Sequence, residues 1–307
     1  MLGSVLGEMA RALGRSVLWQ LATRLPLVER VAQPAPGRTG WARIAVRGTA
    51  FLVPDHPWWR QAYAAGWEAD TLRAYGRLIQ AGDTVVDVGA WIGPTVMFAC
   101  ACGARRVLAV EPNPACRPYL DALVDAANRL GVELAVCSTG VHAVAGEVEF
   151  GTRTGEIATH SNASLAGRGV RIAVDRLPNL LAAHGYARPD FVKIDVEGAE
   201  FAIPDQIGAI GAHPGVRVFL SLHPPLVPAG ADTSALTATL SGFDLYDARL
   251  APLSHDEVAA RVVSPERFPA WGTPLGNYFE LMLVPRGEPL ERKDADERKI
   301  RVSPGNS

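Results

Sequence analysis

The chain has 307 residues, 48% of them hydrophobic and 20% charged, which is long enough for an unaided core and too apolar for wholesale disorder. Thirty Lys and Arg against 32 Asp and Glu leave a net charge of -2, so nothing electrostatic favours a nucleic-acid partner. No apolar run reaches the roughly 18 residues that cross a bilayer, and the N-terminus lacks the three regions of a signal peptide. The first 25 residues place Leu2, Val5, Leu6, Met9, Leu13, Val17, Leu18 and Leu21 at helical spacing. That stripe suits packing on the body, cover over a site, self-association into a homo-oligomer, or a membrane surface, packing being the commonest use of such stripes.

Pro34, Pro36, Gly37 and Gly40 mark a linker. Two short strands are expected around Arg47-Gly48, then a helix over Trp67–Gln80. From residue 84 strand and helix alternate. TVVDVG, RRVLAVEP, VELAVCST, PDFVKIDVEG, GVRVFLSLHPP, FDLYDA and NYFELMLVP read as strands. PTVMFACACG, PYLDALVDAANRLG, DRLPNLLAAHG and SALTATLSG read as helices, and residues 140–170 as a glycine-broken segment with a hairpin around VEFGTRTGEIA. This alternation predicts an α/β fold, a doubly wound and mostly parallel sheet with its ligand site at the carboxyl ends of the strands. The expected organisation is an extension over 1–82, a catalytic domain over 83–290 and a charged, disordered tail over 291–307. Cys100, Cys102, Cys116 and Cys137 lack paired spacing and read as reduced core thiols of a cytoplasmic protein.

Chemistry-bearing residues fall where the fold predicts. The first strand ends in Asp87-Val88-Gly89-Ala90-Trp91-Ile92-Gly93, a glycine turn opening a helix. Its G-x-x-x-G spacing is not the G-x-G-x-x-G of nicotinamide dinucleotide sites. Glu111, at the tip of the second strand, can accept both hydroxyls of a ribose; its bland alternative is a helix-capping acid. The fourth strand ends in Lys193-Ile194-Asp195-Val196-Glu197-Gly198-Ala199-Glu200. Three carboxylates there need a metal, a cation or donors, or they form an ion pair with Lys193 plus helix-start acids.

VVDVGAWIG, VLAVEPNP and FVKIDVEGAE together resemble the FkbM family of S-adenosylmethionine-dependent methyltransferases, over roughly residues 67–225. Trp67-Glu68 and the polar segment His160-Ser161-Asn162-Ala163-Ser164 are also similar to that family's pattern. The resemblance implies a class I methyltransferase sheet with an antiparallel seventh strand. It also implies O-methylation of hydroxyls on sugars or natural products. It assigns Asp87, Gly89 and Gly93 to the cofactor's methionine part and Glu111 to the ribose, with Glu68, Ala90 and Trp91 also at the cofactor site. Pro112, Asn113, Ser138 and Thr139 fall to the adenine, and Asp195 to the reacting methyl. There are two departures from the pattern: Trp91 stands where the family usually has Asn, and the segment Ser221 to Pro225 lacks an acid that many members carry.

Asp195 and His223 are the candidate bases, His having the better resting pKa; His223 before two prolines also reads as a buried turn residue. A divalent ion on Asp195 and Glu197, with Mg²⁺ the natural choice for oxygen ligands, would instead polarise the acceptor. The other readings are a nicotinamide-dependent oxidoreductase and an inactive nucleoside-binding scaffold.

Overall fold

A computed structural model describes residues 31–150, 170–224, 227, 232–263 and 279–292, with only the backbone of Val31 and Ala32. The expected N-terminal helix, the segment His160 to Ser164 and nearly all of the tail lie outside these residues.

Buried apolar runs give the central strands β4 (Thr84–Val88), β5 (Arg106–Val110), β10 (Phe191–Ile194) and β11 (Arg217–Leu222), with the more exposed β6 (Glu133–Cys137) at the edge. With β12 (Phe243–Tyr246), β13 (Pro252–Leu253) and β14 (Phe279–Pro285) they form one sheet of order β13-β12-β14-β11-β10-β4-β5-β6. The strands from β6 to β11 are parallel, and β14 enters antiparallel between β11 and β12. This is the class I methyltransferase arrangement that the resemblance implies.

Period-two burial splits the core into two layers. Val85, Phe191, Phe219 and Met282 face α1 (Ala69–Leu78), α2 (Pro94–Ala101) and α3 (Arg117–Arg129). Val86, Val88, Ile194 and Leu220 face α4 (Leu177–Ala183), α5 (Pro204–Gly211), α6 (Ser234–Leu240) and α7 (His255–Val263).

Several local expectations are corrected. The linker over Pro34–Gly40 is the turn of a hairpin, because β1 (Val31–Pro34) pairs with β2 (Trp41–Val46), which pairs on with β3 (Thr49–Pro54). The helix expected from Trp67 begins at Ala69, since Glu68 sits in the left-handed region at φ 44°. Of the hairpin expected around VEFGTRTGEIA, the residues from Gly151 on lie outside the described ones. β8 (Gly146–Phe150) pairs with β9 (Val170–Asp175), and with β7 (Gly140–Val141) they form a small sheet between β6 and β10. Arg292, counted with the tail, is buried and paired to Asp83.

Candidate active site

Two strand ends touch at the centre of the sheet. Gly89 has φ 78°, and a Cβ there would stand 1.8 Å from the carbonyl oxygen of Asp195. Glycine is therefore required for conformation and for close approach alike. Below this contact the buried Lys193 ammonium donates to the Gly89 carbonyl at 2.8 Å and lies 3.2 Å from Asp87 and 3.4 Å from Asp195. Burial alone would lower its pKa, but the Asp87 and Asp195 carboxylates carry it above the usual lysine range. Burial raises the pKa of Asp87 even though Lys193 and a 2.5 Å hydrogen bond from Thr95 oppose it. The single lysine of the folded body thus ties the two strand ends together.

Glu111 is buried, and its oxygens accept from the backbone amides of Trp91 at 2.9 Å and Asn113 at 2.8 Å. Burial raises its pKa against both of these bonds. Trp91 has φ 50°, a region costly for a bulky side chain but congenial to the Asn usual there. Its ring packs edge-on at 4.7 Å from Trp58 of the extension. Gly93 is needed for packing, since a Cβ there would meet Leu123 at 2.2 Å.

A cavity of about 640 Å³, mouth included, runs along these strand ends. Gly89, Glu111, Pro112 and Asp195 line it, as do Glu197, His142 and the apolar Val148, Phe150, Ile172 and Val174 of the small sheet. Ala90 and Asn113 are buried beside it, and Asn113 Nδ2 has no hydrogen-bond partner among the described residues. Ser138 is exposed and bonded by Arg117, while Thr139 is half-buried. Glu68 lies on the other side of the sheet at the start of α1.

His223, after β11, donates from Nδ1 to Glu200 at 3.0 Å, and its Nε2 is 3.6 Å from Asp195. Glu200 is fully buried and also accepts from the His223 amide. Burial would lower the imidazole's pKa, but Glu200, Asp195 and Glu197 outweigh it and raise it to about 9. An imidazole raised in this way holds its proton at neutral pH and would have to lose it before acting as a base. Asp195, Glu197 and His223 bring one ligand-capable atom each within 4.8 Å of one another.

Sequence reasoning missed Glu280 on β14. Thr71 donates to its Oε2 at 2.5 Å, while Oε1 is buried and without a hydrogen-bond partner among the described residues. Only the pairing of β14 with β11 brings this residue to the site.

Residues 87–206 match the methyltransferase FkbM domain family model. The chain thus carries, over these residues, a match to a domain of S-adenosylmethionine-dependent methyltransferases. Among solved structures, the FkbM methyltransferase of Methylobacillus flagellatus is similar at 16% identity and a TM-score of 0.40, over 56% of this chain and 43% of that one. TYW2 of Pyrococcus horikoshii, solved with MeSAdo, gives 13% identity and 0.38 over 86% and 79%. A SAM-dependent O-methyltransferase of Thermotoga maritima gives 10% and 0.36 over 74% and 67%. No curated protein matches this chain. Among the described residues no helix is long and apolar enough to cross a membrane.

Proposed function

We propose that this FkbM protein is an S-adenosylmethionine-dependent O-methyltransferase acting on a hydroxyl of a small metabolite or sugar in the cytoplasm. The observation that carries the reading is a single cavity with the buried acid Glu111 at one end and Asp195 at the other, passing the backbone of Gly89. Such a cavity fits a nucleoside bearing a charged tail. The carboxylate suits a ribose diol, the apolar wall suits an adenine, and the unpartnered Asn113 amide offers it a donor. Bound there, the cofactor supplies an already activated methyl group.

The chain's own residues then align and exclude. Glu111 holds the ribose, with Pro112, Asn113, Ser138 and Thr139 toward the adenine. Asp87, Gly89, Ala90, Trp91 and Gly93 shape the turn beside the methionine portion, and Glu68 adds negative charge from the extension. Asp195 faces the methyl, fixed by Lys193 on one side and His223 on the other. Both cations pair with Asp195, so the cluster with Glu197 is read as an ion-pair network that needs no Mg²⁺ to hold it. His223, charged and anchored by Glu200, positions Asp195.

Calorimetric titration tests the reading. S-adenosylmethionine and S-adenosylhomocysteine should bind and NAD should not; the reverse order would favour the oxidoreductase. Turnover to S-adenosylhomocysteine across a panel of hydroxylated and amine acceptors, with hydroxyls alone productive, separates an O-methyltransferase from an N-methyltransferase and from an inactive scaffold.

A further inference from the structure

The register of the sheet lines up three side chains that no sequence motif connects. Lys193 pairs with Phe219, so Asp195 lies level with Ser221, and Ser221 pairs with Glu280. Asp195, Ser221 and Glu280 therefore form a row across β10, β11 and β14, on the face that carries Asp87 and Lys193 and one step nearer the carboxyl edge. Two strand spacings, about 9–10 Å, separate the outer members. Ser221, the small residue between them, is buried. On the far side Thr71 fixes Oε2, and Oε1 is left buried with no partner among the described residues. A buried carboxyl oxygen in that condition calls for a donor.

We propose that Glu280 is the catalytic base of methyl transfer, its Oε1 receiving the acceptor's hydroxyl proton, and that the positive charge of the bound cofactor readies it by expelling its resting proton. The proposal rests on the S-adenosylmethionine reading above. As the acceptor oxygen bonds to the methyl carbon, the carbon–sulfur bond breaks with its electron pair going to sulfur, and the hydroxyl proton passes to the carboxylate. The charges on sulfonium and carboxylate both disappear, so the step balances.

The surroundings of Glu280 favour this sequence. From α1 it faces Asp70, Thr71 and Tyr75, with Glu68 one turn back. From β10 it faces Lys193 and Asp195, and His223 closes β11 beyond Ser221. Burial, reinforced by Asp195 and Asp70 and opposed by Thr71 and Lys193, raises the carboxyl to about 7. A positive charge brought beside such a carboxyl would favour its ionised form and lower its pKa. The acid that rests partly protonated becomes a base only when the methyl donor is in place.

Proton uptake and release need no acceptor to be measured. S-adenosylmethionine titrated at pH 7 in two buffers of different ionisation heat should release about half a proton from the wild-type protein. S-adenosylhomocysteine, which lacks the sulfonium charge, should release none. Glu280→Gln should still bind S-adenosylmethionine and lose the release. Thr71→Val removes the donor on Oε2, so its maximum release should move to higher pH, a test independent of whether Glu280→Gln folds. Release that survives in Glu280→Gln, or wild-type binding without release, overturns the proposal and leaves the cofactor reading standing. Failure of S-adenosylmethionine to bind overturns both.

Discussion

The oxygens of Glu111 hold the amides of Trp91 and Asn113, so it shapes the turn. In the proposed function the same carboxylate also holds a ribose, and the two roles can be separated. Glu111→Ala should weaken S-adenosylhomocysteine by about 1.5–3 kcal/mol, or roughly 10- to 150-fold. Glu111→Gln keeps one acceptor for the turn and should lose less; equal affinity in all three proteins would remove Glu111 from the cofactor site. Glu280 makes a prediction about stability. Its carboxyl titrates near 4.5 unfolded and about 7 folded, so between those values the folded chain holds more protons. Its contribution is unpenalised below pH 4.5, falls as pH rises, and is constant above 7, a loss of up to about 3 kcal/mol. Glu280→Gln should therefore raise the melting temperature at pH 8 and leave it unchanged at pH 4.5. An equal effect at both pH values would place the carboxyl's titration outside that window.

At the scale of elements, the chain after β14 returns to pin the start of β4. Arg292 is buried and pairs with Asp83, bonds the Leu78 carbonyl at 2.9 Å, and approaches Asp190 at 3.3 Å. Removing one member of a buried pair strands the other, so Arg292→Ala should cost about 3–5 kcal/mol in urea unfolding. The neighbouring Arg77–Glu291 pair is 39% and 52% exposed, and Arg77→Ala should cost under about 1 kcal/mol. Comparable losses would mean that burial is not what separates them. The elements best legible in the sequence were those whose burial is uniform, such as β4 and β5. Those missed were masked by local composition. α5 holds Gly208 and Gly211, poor helix formers, yet Gly211 is where a Cβ would strike the Phe243 ring at 2.0 Å. α7 did carry a readable start: Ser254 caps the Glu257 amide at 3.1 Å, three residues apart as in a capping box.

Across the whole molecule, the glycine turn, Glu111 and Asp195 were legible because each ends a buried strand and each motif is local. Glu280 was not, because its place depends on β14 crossing back beside β11, a pairing that no local pattern specifies. The extension poses the same question on a larger scale. Trp58 stacks on Tyr63, meets Trp67 at 5.0 Å and abuts Trp91 at the glycine turn, so this segment joins the site through aromatic contact. Glu68 follows directly, held at φ 44°, and its charge reaches Lys193 and Tyr75. If the extension is part of the active-site wall, that charge acts on the bound cofactor and contributes little to the fold. Glu68→Gln should then weaken S-adenosylmethionine more than the uncharged S-adenosylhomocysteine, by several-fold, within the range for loss of a charged partner at a partly exposed site. Its melting temperature should move by no more than a few degrees, equivalent to about 1 kcal/mol. Equal weakening of both ligands would assign Glu68 to their common amino-acid portion. No change in either would make Trp58, Trp67 and Glu68 a scaffold over α2 and α3, with the acceptor entering from the small sheet's side.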